Sequence, residues 1–266
     1  MSLREVDRLI DFMKLIQNEN MKIYRRLRTV IMFLLILITN LLFGILFSLD
    51  NGSGRLMAWD AVDQLSFLYF LVVIFSAIVA ADIVAGEFTW GTIKLLLIRP
   101  WTRSKILGSK LLSVICFTIV MTAWFMVTSM AISFILYPNQ PSDIFAQGSN
   151  PLAYIMERML YSYIDLFVIT IISFMISTVF RSGGIAIGLS MFILFTKGIF
   201  TMLFNPVRYP WAKYALFTNM DLSQYQSGWN QVEGMSIGFS SIILAIYVIL
   251  FLLISWIVFN KRDVAT

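Results

Sequence analysis

The 266-residue sequence has no histidine, only one cysteine, and only 13% charged residues. Without histidine there can be no histidine-dependent nucleophilic triad, no HExxH zinc site and no histidine-held haem. The one cysteine, Cys116, lies inside an apolar run. It therefore supports neither an intramolecular disulfide nor a metal cluster. No stretch matches the phosphate-binding GxxxxGK[ST] loop, since Gly108-Ser109-Lys110 lacks the glycine and the spacing. A GxSxG nucleophile elbow and a GxGD-type aspartate motif are also missing. The expectation is a protein that is not an enzyme and holds no metal or cofactor.

What the sequence has is apolar surface. Hydrophobic residues make up 59% of it and the mean hydropathy is +0.83, far above a soluble domain. Several runs of about 20 uncharged residues are each long enough to cross the roughly 30 Å hydrocarbon core. The alternating short segments of a β-barrel are missing. The fold class expected is an all-α membrane protein with six transmembrane helices. The spans read as 29–48, 65–85, 111–137, 159–180, 185–204 and 235–259. Before them, residues 1–28 repeat Leu3, Val6, Leu9, Ile10 and Met13 at helical spacing among charges. That pattern reads either as an amphipathic helix on the membrane surface or as a basic tail held to anionic lipid. No short apolar core with a small-residue cleavage site marks it as a signal peptide. Residues 260–266 form a short tail.

Six spans put both termini on one side, and the basic residues say which. Fifteen of the 20 Lys and Arg fall on the side of the termini and four on the other, with Lys197 inside a span. Both termini are expected in the cytoplasm of a bacterial plasma membrane. The net charge of +5 then reflects topology rather than nucleic-acid binding.

The stretch 82–110 separates spans two and three. It is too polar for hydrocarbon and too apolar for a solvated loop. Lys94, Arg99, Arg103, Lys105 and Lys110 outweigh Asp82 and Glu87, with Phe88, Trp90, Ile93 and Leu95 to Ile98 between them. Such a mixture suits an interfacial helix. Pro100 should break it, and Thr102 or Ser104 can cap the helix that follows. Because no Gly or Pro separates Lys110 from span three, force on residues 98–105 should tilt that span.

Glu87, Gly91-Thr92, Leu95-Leu96-Leu97, Arg99-Pro100, Arg103 and Lys110 resemble the pattern E-x(3)-GT-x(2)-LLL-x(2)-P-x(2)-R-x(6)-K. That pattern follows span two in permease subunits of ABC-2 type exporters. The six spans, the N-terminal helix and the connection through Asn219-Met220-Asp221-Leu222 resemble the same family over the whole chain. Within it the chain looks most like compact bacterial permeases of antibiotic, lantibiotic or bacteriocin self-protection. The resemblance implies two permease subunits, this chain with a second copy or a homologue, paired with two separate ATPase subunits that bind ATP and Mg. It also implies a coupling helix at 82–110 that seats in the ATPase through Glu87, Gly91, Thr92, Leu96, Arg99, Pro100, Arg103 and Lys105. The cargo implied is a hydrophobic or amphipathic compound, such as an antimicrobial peptide, a drug or a lipid-like molecule.

Asp165 and Lys197 are the charges deep inside spans, where charge is costly. They lie 17 residues before and 15 after the turn near Ser182. At about 1.5 Å per residue both stand roughly 25 Å from it, so antiparallel spans four and five could pair them. The other reading is a Lys197 that snorkels and an Asp165 that meets water. The rival function is an ion-coupled transporter or channel built on these two residues.

Overall fold

The computed structural model describes residues 3–49, 56–92, 101–140, 150–226 and 234–261, with side chains from Phe12 onward. Its long elements are all helical. α1 spans Leu3–Tyr24, α2 Leu27–Leu49, α3 Ala58–Leu65 and α4 Tyr69–Thr89. α5 spans Arg103–Leu136, α6 Pro151–Val179, α7 Gly183–Leu203, α8 Leu216–Met220 and α9 Ile237–Lys261. Six of these segments are long and apolar enough to cross a membrane: α2, α3 run on into α4, α5, α6, α7 and α9. The chain is a multi-pass membrane protein.

Helix ends are set by local chemistry. Thr102 caps α5, its side chain accepting from the Lys105 backbone N–H, as the sequence allows. Asn150 caps α6, with Pro151 in the first turn where a missing N–H costs nothing. Ser182 caps α7 three residues after α6 ends, which forces α6 and α7 antiparallel.

α4 and α6 form the centre of the bundle and are buried over most of their length, while α2, α7 and α9 turn most of their surface outward. Small residues permit the central contact: Ala77, Ala80, Ala81 and Ala85 of α4 are fully buried. The Ser177 hydroxyl of α6 reaches the α4 backbone, accepting from the N–H groups of Val84 and Ala85 at 3.1 and 3.0 Å. α5 also packs on α4, and carries Phe117, Met121 and Phe125 at 0–1% exposure. α2 packs on α5 through Gly44, where a Cβ would come within 2.7 Å of Ile132.

α1 and the end of α9 both reach the first turns of α5. Glu19 of α1 bonds Lys110 of α5, and Arg103 at the start of α5 donates to the Asn260 carbonyl of α9 at 3.0 Å. The helices differ from the expected spans mainly at this end. α4 continues to Thr89 and α5 begins at Arg103, so much of the 82–110 stretch is helix rather than connection. The reason is that Asp82, Glu87 and Lys110, which mark a membrane boundary when read singly, are paired inside the protein. At the opposite end the 49–64 connection contains α3, and α6 starts eight residues before the span expected at 159. Arg158 of α6 forms an ion pair with Asp63 of α3, so this polar turn of α6 is held by the chain itself.

Candidate functional site

Two polar sites stand out, one at each end of the bundle. The first joins α1, α4 and α5 at the terminal end. The Lys110 ammonium is 1% exposed and donates to Glu19 at 2.8 Å and Glu87 at 2.9 Å. Lys22 bridges the same two carboxylates at 2.8 and 3.0 Å. Two acids and two bases therefore close a network in which each buried charge has an opposite partner. Burial pulls the Lys22 pKa down, but its bonds to Glu19 and Glu87 outweigh this and hold it above the usual lysine value.

Next to it, Asp82 accepts from Arg26 at 2.7 Å and Arg28 at 2.6 Å. Glycine makes the space for that carboxylate. A Cβ on Gly86 would lie 2.8 Å from Asp82 Oδ1, and one on Gly183 would lie 3.0 Å from it. Gly183 opens α7, so Asp82 also sits where the helix dipole favours a negative charge. These groups line a cleft of about 650 Å³ with three cations, Lys22, Arg26 and Arg28, and three anions, Glu19, Asp82 and Glu87.

The network also explains the Glu-x(3)-Gly-Thr spacing. α4 ends at Thr89, and Gly91 turns the chain away with φ +68°, a left-handed conformation suited to glycine. Its N–H donates to the Phe88 carbonyl at 3.2 Å. The Thr92 hydroxyl then returns to the Glu87 carboxylate, closing the turn on the ion network. Trp90, within this turn, is 75% exposed.

Of the coupling residues expected from the sequence, Glu87, Gly91 and Thr92 come together in this turn. Leu96, Arg99 and Pro100 lie outside the described residues. Arg103 is engaged by the carbonyl end of α9, and Lys105 lies over the Trp101 ring at 5.6 Å. A role for Arg103 in gripping a partner therefore competes with its role in holding α9. The sequence reading left out Glu19 and the Asp82–Arg26–Arg28 cluster. The signals were the Glu19–Lys22 spacing of three and the Asp82–Gly86 spacing of four on their helices.

The second site is the intramembrane pair. Lys197 of α7 donates to Asp165 Oδ2 at 2.5 Å, with side chains 33% and 18% exposed. The turn arithmetic places the two residues level, and the structure joins them. Asp165 Oδ1 is buried without a hydrogen-bond partner among the described residues. The pair lines a cleft of about 720 Å³ between α4, α6, α7 and the α8 region. Among the described residues no cluster of three potential metal ligands occurs.

The chain is similar to two Bacillus subtilis (strain 168) proteins. It is 36% identical to "Uncharacterized protein YhcI" over 217 residues, 78% of this chain and 69% of that protein. It is 28% identical to "Uncharacterized membrane protein YdbK" over 188 residues, 70% of this chain and 75% of that protein. The profile of one family matches residues 23–265, nearly the whole chain, and the protein belongs to that family, described as "Protein of unknown function (DUF2705)".

Proposed function

We propose that this chain is the permease subunit of an ABC-2 type exporter, with ATP hydrolysis supplied by a separate ATPase chain. Two permeases and two ATPases form the working unit, set in a bacterial plasma membrane with both termini in the cytoplasm. The observation that carries this reading is the braced turn after α4. The turn, with Trp90 exposed, is tied through Glu87 to Lys110 of α5 and Lys22 of α1, and both lysines also hold Glu19 of α1. A load applied at the turn reaches three helices at once, because the network joins Glu87 of α4 to Lys110 of α5 and to α1, which supplies both Glu19 and Lys22. Such a lever gives a membrane protein without a phosphate loop a way to receive nucleotide-driven motion from another subunit.

The test is co-purification from membranes with candidate ATPases of the same genome. Wild type should retain an ATPase, and Trp90→Glu/Lys105→Glu should lose it while staying folded. Arg103 is left intact because it holds α9. If neither form retains an ATPase, the permease reading falls. The Asp165–Lys197 pair favours one other reading, an ion-coupled transporter, which would then take its place.

A further inference from the structure

The cleft around Asp165 and Lys197 has features that an internal ion pair does not need. Two carboxylates, Asp165 and Asp221, line it against one ammonium, Lys197, leaving one net negative charge among its described lining residues. The cleft at the other end has balanced charges, so this bias is particular to the α6–α7 site. Asp165 uses one oxygen for Lys197, while Oδ1 is buried and unpaired among the described residues. A carboxylate can accept several donors, so the pair leaves it short of partners. Its depth adds to the effect, because electrostatic attraction strengthens where water is scarce.

The walls are aromatic. Tyr69 and Phe70 come from α4, Tyr161 from α6, Phe195 from α7 and Phe217 from α8. Phe70 and Phe195 are 49% and 65% exposed, so the cleft has open apolar flanks at the depth of the helices. Aromatic faces attract cations as well as apolar chains.

We propose that this cleft binds amphipathic compounds with a single ammonium group. The ammonium enters the field of Asp165 and Asp221, and the apolar body lies along Phe70, Phe195 and Phe217. Lys197 holds the empty site together and competes with the ligand for Asp165. An aminophospholipid headgroup and a free amphipathic amine share this chemistry. The inference deepens the export reading by naming the class of cargo, and it rests on that reading only for calling the ligand cargo.

The test uses the isolated chain in nanodiscs of phosphatidylglycerol, which has no amine, with dodecylamine and dodecanol as probes. Binding is read from thermal unfolding midpoints across a probe titration. Dodecylamine should stabilise wild type more than dodecanol does. Asp165→Asn should abolish the difference, and Asp221→Asn should weaken it several-fold. Lys197→Met removes the competitor and should tighten dodecylamine by about tenfold. A purely structural ion pair would instead lose stability in both Asp165→Asn and Lys197→Met, with no opposite change in amine affinity.

Equal effects of the two probes on wild type, or full amine binding by Asp165→Asn, would overturn the proposal. Phosphatidylethanolamine in the discs separates the sources. If it blocks dodecylamine, the site takes the lipid headgroup; if it does not, the site takes free amines. No ATPase is present, so failure here leaves the docking of the Trp90 turn untouched, and loss of ATPase binding leaves this site standing.

Discussion

At the scale of single residues, the decisive feature is how completely buried charge is paired. Lys110 is almost fully enclosed, with Glu19 and Glu87 within 2.9 Å. Lys110→Met would leave two acids facing only Lys22. Removing one partner of a buried pair typically costs roughly 3–5 kcal/mol, so the variant should unfold at clearly lower temperature in detergent. Glu19→Gln, which leaves Lys110 its bond to Glu87, should cost less. Lys22 gives a sign for pH. Its pKa is raised in the fold, so its contribution is full below the ordinary lysine range and fades as pH rises through the raised value. Alkaline unfolding of wild type should therefore be steeper than that of Lys22→Met. The opposite case is an unpaired hydroxyl. Ser76 and Thr170 are fully buried with side-chain oxygens lacking partners among the described residues. Removing such a group relieves a desolvation cost, so Thr170→Val should be neutral or stabilising by up to about 1 kcal/mol. A clear loss of stability in that variant would mean that the hydroxyl holds a bound water.

At the scale of elements, α1 is a clamp. It is held to α5 by Glu19–Lys110 and to α4 by Lys22–Glu87, while Arg26 and Arg28 after it grip Asp82. Gly86 sets the register of that grip. Gly86→Ala would drive a methyl against Asp82 Oδ1 and push the carboxylate off its arginines. The expected outcome is faster protease cleavage between α1 and α2 with the six spans intact, read by limited proteolysis of membranes. Much of this element pattern was legible in the sequence, and the misses share a cause. Apolar runs located the six spans because lipid imposes a length on them. The ends moved because Asp82, Glu87 and Lys110 look like water-facing charges until their partners are known. Asp165 and Lys197 could be placed together because the tight turn at Ser182 fixes the register of α6 against α7. The contact of Ser177 with the α4 backbone was out of reach, since a serine in an apolar run does not reveal which neighbour it faces.

At the scale of the whole molecule, the two polar sites lie at different depths and their charges differ. The terminal-end network is balanced and joins three helices; the α6–α7 cleft has excess negative charge and opens between them. α4 and α7 contribute to both, through Glu87, Asp82 and Gly183 at one end and Tyr69, Phe70 and Lys197 at the other. A displacement of α4 driven from the Trp90 turn would therefore reshape the cleft that holds Asp165. On the proposed permease reading an ATPase acts at this turn, and a photo-crosslinking group at position 90 probes that contact. Irradiated in membranes that also contain the candidate ATPases, it should capture an ATPase covalently, and a crosslinker at Val127, exposed midway along α5, should not. Capture of lipid alone at position 90, with the ATPases present and folded, would overturn the proposed permease role of this turn.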